Sequence, residues 1–128
     1  MNKRKFSMLI LAGTMMLSTS LFAYSDTASG KLDDGTRAYG VVSLGSSRAS
    51  ASTRSSNTAA CYASVEYTYQ FGTEEYTEYD SDSDLDSTVA TAVADSRPAE
   101  NIMAEGTHKV SRNGDTWRGH TVEYNKNL

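Results

Sequence analysis

Cysteine, proline and tryptophan occur once each in this chain of 128 residues. The lone Cys61 cannot close an internal disulfide, so the cross-linked scaffold that supports many small exported domains is excluded. Cys61 is then a buried small apolar residue or a thiol that pairs between chains, and burial is the expectation, since free cysteine is among the most buried residue types. Pro98 supplies the chain's single fixed interruption, lacking a backbone donor and restricting the residue before it. Adjacent basic residues are absent after Lys5. Phosphate backbones and anionic membrane surfaces are bound through clustered Lys and Arg, so neither is an expected partner. Large aliphatic side chains are scarce, and much of the apolar volume is Ala and Tyr, which predicts a small core.

What is present begins with a leader. Lys3, Arg4 and Lys5 precede an apolar run from Phe6 to Phe22, and small residues follow at Ala23 and Ser25. This order of charged start, apolar segment and small residues is that of a helical secretory signal. A cut after Ser25 puts Ala23 and Ser25 at the two positions that demand small side chains, making Asp26 the first mature residue. Six Ser and Thr residues between Ser7 and Ser25 disfavour a retained span, which needs about 20 consecutive apolar residues. Removing residues 1–25 takes away three of 12 basic residues and none of 16 acidic ones, leaving a net charge of −7. The expected product is secreted and acidic, with no membrane span after cleavage.

The clearest structural signal covers residues 61–71, where Cys61, Ala63, Val65, Tyr67, Tyr69 and Phe71 alternate with mostly polar residues. Side chains alternate across a pleated strand, so the first set faces a core. Asp33, Asp34 and Gly35 form a turn signal, and residues 36–44 suit a strand through Tyr39, Val41 and Val42. Ala49, Ala51 and Thr53 alternate with Arg48, Ser50, Ser52 and Arg54 as a further strand. Residues 26–35 are expected to be a flexible lead-in. Residues 74–86 carry seven carboxylates and no basic residue, and their mutual repulsion predicts an exposed loop. Residues 88–94 return to β-compatible composition, with Val89, Thr91 and Val93 on one face. Asn113 followed by Gly114 signals a tight hairpin between strands at 104–112 and 115–124. A two-residue loop there sets Val110 opposite Trp117, a favourable pair, and Lys109 opposite Arg118, an unfavourable one, so the register stays open.

Chemistry-bearing patterns are few. Asp80, Asp82, Asp84 and Asp86 alternate as oxygen ligands do in calcium loops, but Leu85 and Thr91 stand where an EF-hand loop needs Gly and Glu. They are a weak calcium site at most, and no other cofactor is expected. His108 and His120 lie near Glu105 and Glu123, yet residues three apart on a strand point to opposite faces, so zinc is not expected and both are read as surface histidines. No Gly-x-Ser-x-Gly elbow or comparable cysteine context offers a nucleophile. Tyr62, Tyr76, Tyr79 and Trp117 offer flat apolar contact with a hydrogen-bonding tip, suited to recognition. Tyr67, Tyr69 and Trp117 equally suit completion of the core.

The sequence predicts one all-β domain over residues 36–128, a small antiparallel sandwich of about six strands, with a partly open barrel as the alternative. The expected function is non-enzymatic binding of an extracellular macromolecule or cell surface, and the alternative is a bacteriocin-like toxin.

Overall fold

The computed structural model describes residues 22–97 and 99–126. The leader ahead of Phe22, and Pro98, lie outside them. Six strands follow in order: β1 (Phe22–Lys31), β2 (Arg37–Gly45), β3 (Arg48–Phe71), β4 (Glu74–Asp95), β5 (Glu100–Arg112) and β6 (Asp115–Tyr124). All pairings are antiparallel, in the order β1-β2-β3-β5-β6 with β4 on β3. The single sheet coils until it is nearly barrel-shaped.

Coiling follows from two long strands that bend. The register between β3 and β4 shifts between Arg54 and Ala59 and again before Cys61, an irregularity that sharpens local twist. Beyond the bend β3 leaves β2 and pairs with β5. The two strands expected at 48–54 and 61–71 are thus the two arms of one. Thr53 Oγ1 donates to the Tyr62 carbonyl at 2.7 Å across the bend.

Three turns set the registers. Asn113 and Gly114 both have positive φ, 54° and 79°, the requirement of a type I′ hairpin, which leaves Val110 opposite Trp117 and Lys109 opposite Arg118. Gly72, at φ 68°, turns β3 into β4 by a two-residue loop between Phe71 and Glu74. Between β1 and β2, the Leu32 N–H donates to the Thr36 carbonyl at 2.8 Å.

Two expectations are corrected. Residues 26–31 belong to β1, because Asp26, Ala28 and Gly30 face inward and Ser25, Thr27 and Ser29 outward against a complete β2 partner; a cut after Ser25 falls inside this strand. Residues 74–86 are strand, not loop. Their carboxylates find donors: Asp80 Oδ2 accepts from the Val93 N–H at 2.9 Å, and Asp82 Oδ2 from the Thr91 N–H at 3.1 Å. A carboxylate bonded to a backbone N–H has a reason to enter a strand that charge counting misses.

The interior is lined by Val42 and Leu44 of β2, Ala49, Ala51, Ala63, Val65, Tyr67 and Tyr69 of β3, Ala90, Ala92 and Ala94 of β4, and Ala104 and Val110 of β5. Ala90, Ala92 and Ala94 face in, so Val89, Thr91 and Val93 take the opposite face. Tyr67 and Tyr69 are the bulkiest side chains buried there, their rings 5.3 Å apart.

Both seams of the coiled sheet are bridged by inward aspartates. β1 and β6 do not pair through their backbones, but Asp26 Oδ2 accepts from the Val122 N–H at 2.9 Å. The Asp33 N–H donates to Asp115 at 2.7 Å, and Arg112 pairs with Asp34 at 2.5 Å. At the other seam the arms of β4 meet through Asp80 and Asp82. Inward charges on edge strands also discourage pairing with another chain.

Candidate functional site

The one buried histidine sits where β5 and β6 face β2 and β3. His108 is fully buried, with Thr53 Oγ1 at 2.9 Å from Nδ1 and Thr121 Oγ1 at 2.8 Å from Nε2. Thr53 donates its hydroxyl proton to Tyr62, so it accepts from His108, which assigns the proton to Nδ1 and leaves Nε2 accepting from Thr121. A Cβ at Gly40 or Gly106 would overlap the imidazole or the Thr121 hydroxyl, so these glycines make room for the ring. Burial, aided by the charge of His120, lowers the His108 pKa to about 4, while the Ser52 backbone and Asp26 pull the other way. The expectation of a surface histidine is overturned here because the face of β5 that carries His108 is turned inward, toward Thr53, 55 residues away, and Thr121 on β6. His120 is exposed on the outer face, with Nε2 3.2 Å from Glu105 Oε2. As alternation requires, the two histidines point opposite ways.

Cys61 is buried, its Sγ 3.5 Å from the Ser87 carbonyl. Burial, then the charge of Asp84, pushes the thiol up to about 11, which disfavours the thiolate.

The four aspartates do not converge. Asp80 and Asp82 hold the Val93 and Thr91 N–H groups, and Asp84 Oδ1 accepts from the Asp86 N–H at 3.2 Å. Among the described residues, no group of three or more His, Cys, Asp or Glu is placed to hold a metal ion.

The tyrosines divide. Tyr62 and Tyr79 lean together on the outer face with hydroxyls 3.2 Å apart, Tyr79 60% exposed and Lys109 Nζ 5.7 Å from the Tyr62 ring. Tyr76 is drawn inward, its ring 5.7 Å from Tyr69 and covered by Arg97, which also lies 4.5 Å over Phe71. Trp117 packs against the core, and a Cβ at Gly30 or Gly119 would strike its indole. The sequence gives no sign of the partners that Arg97, Asp26, Thr53 and Thr121 find in the fold. A single arginine or threonine carries no pattern, and only the coiling of the sheet gives these residues their partners.

No protein-family model, curated protein or solved structure matches this chain.

Proposed function

We propose that the chain is exported, loses its leader and works outside the cytoplasm as a binding domain for a macromolecule or cell surface, without catalysing a reaction. Asp26, which bridges β1 to β6, is then the first residue retained. The observation that carries this reading is the outward pair Tyr62 and Tyr79, held on a paired sheet with hydroxyls 3.2 Å apart, Tyr79 60% exposed and the Lys109 ammonium 5.7 Å from the Tyr62 ring. Rigid tyrosines give contact area at low entropic cost. His108 and Cys61, the groups best suited to reactivity, are turned inward.

The test uses the purified processed domain with envelope fractions and culture medium. Saturable binding is expected, weakened about tenfold or more by the double substitution Tyr62→Ala and Tyr79→Ala, with an unchanged melting temperature. Absence of saturable binding to every fraction would overturn the reading. Growth inhibition of neighbouring bacteria at low concentration would replace it with the toxin reading.

A further inference from the structure

Lys109 and Arg118 stand directly opposite one another on the outer face of β5 and β6. Opposed side chains in such a pair lie about 5 Å apart at Cβ, where like charges repel. Neither makes an ion pair with any described residue, although the chain has 16 acidic residues against 12 basic ones. The outward positions around the pair hold hydroxyls instead: Thr107 and Ser111 on β5, and Thr116 on β6. Glu105, two outward positions along from Lys109, is engaged by His120 at 3.2 Å. The same rung continues through Tyr62 of β3 to Ser83 of β4, and Tyr79 of β4 leans onto Tyr62. A cation pair without an anion therefore adjoins two aromatic rings on one outward face, over three strand spacings or about 14 Å.

We infer that this face binds an acidic polysaccharide, a chain of sugar rings that each carry a carboxylate. The inference rests on the proposed binding function and names the chemistry of its partner. A carboxylate set between Lys109 and Arg118 accepts charge-assisted hydrogen bonds from both, which turns their mutual repulsion into a shared attraction. Flat sugar rings lie on Tyr62 and Tyr79, with their hydroxyls toward the tyrosine tips and Thr107. Ring and anion are wanted close together, since the Lys109 ammonium is 5.7 Å from the Tyr62 ring, and a uronate residue supplies both in one unit. Nucleic acid does not suit, because two cations on a chain of net negative charge are too few for a phosphate backbone. Lys109 and Arg118 look isolated in the sequence, and the Asn113–Gly114 hairpin makes them neighbours.

The test uses the full chain and polygalacturonate in affinity electrophoresis, with Lys3→Gln, Arg4→Gln and Lys5→Gln in the background so that the amino-terminal cations do not retain the polymer. Saturable binding is expected, weakened at least about tenfold by Lys109→Gln with Arg118→Gln. Lys31→Gln with Arg37→Gln, which removes the like-charged pair opposed on β1 and β2, should leave it unchanged. Fully methyl-esterified polymer should bind at least about tenfold more weakly than the acid form. Because Lys109→Gln and Arg118→Gln relieve a repulsion, the melting temperature should not fall; should that variant fail to fold, acid against esterified polymer on the parent chain decides. Absence of binding to polygalacturonate, equal binding by the Lys109 and Arg118 variant, or equal binding of the esterified polymer or of polyglutamate would overturn the inference. An envelope fraction that the Lys109 and Arg118 variant still binds, and that the Tyr62→Ala and Tyr79→Ala variant loses, would overturn it while leaving the proposed function standing.

Discussion

The two arms of β4 lie against the same strand with opposite inner faces. Along the first, Tyr76, Glu78, Asp80, Asp82 and Asp84 stand on the inner side, opposite Tyr69, Tyr67, Val65, Ala63 and Cys61. Along the second, Ala90, Ala92 and Ala94 stand opposite Thr53, Ala51 and Ala49, and all six are buried. The alanine arm is held by close packing of small side chains. The aspartate arm is held by hydrogen bonds, and its acceptors serve the alanine arm, whose outward N–H groups at Thr91 and Val93 would otherwise end at a bare edge. A strand therefore does not require an apolar inner face; it requires that each inward atom meet its complement.

The contrast can be broken most severely from the alanine side. Ala92→Asp puts a charge where no donor waits, and a loss of about 4 kcal/mol is expected, read as a collapse of the urea midpoint. Acid should act next. His108 shows how a buried polar group without a carboxylate is satisfied: it stays neutral between two hydroxyls. Its folded pKa of about 4 lies below the ordinary 6.5, so the neutral form belongs to the fold. Its contribution is complete above pH 6.5 and is lost as pH falls toward 4, by about 3 kcal/mol at most. His108→Gln should flatten this part of the profile. Asp34, held down to about 2 by the Thr36 hydroxyl and N–H and then by Arg112, gives a separate loss at lower pH, starting near its ordinary 3.8. Asp82→Ala should lose about 2 kcal/mol and Asp80→Ala about 1 kcal/mol, because Asp82 is buried and Asp80 only half-buried. Leu85→Ala, at a side chain 86% exposed beside the bend, should change stability by less than about 0.5 kcal/mol.

Legibility in the sequence followed the range of the interactions. The alternation of residues 61–71 and the Asn113–Gly114 turn are local, and both appear where the sequence places them, except that Phe71, at the end of β3 beside the turn, is 43% exposed rather than in the core. β1 was hidden because Asp26, Ala28 and Gly30 give no apolar contrast with Ser25, Thr27 and Ser29, although their spacing is that of a strand. The acidic stretch misled for a different reason: repulsion among carboxylates is visible in sequence, whereas the backbone donors at Thr91 and Val93 reach Asp82 and Asp80 only after the bend. His108 is a similar case, since Thr53 lies 55 residues away. Of the recognition residues, Tyr62 and Tyr79 stand on the surface as expected, while Trp117 and Tyr76 are drawn into packing by Gly30, Gly119, Tyr69 and Arg97.

Residue-resolved amide hydrogen exchange at Thr91 and Val93, in the parent chain and in Asp82→Ala, tests the aspartate closure most directly. Both amides should be protected in the parent, and the substitution should speed exchange at Thr91 about tenfold or more while leaving Val93 slow. Fast exchange at both positions in the parent, or an unaltered Thr91 in the variant, would contradict the account.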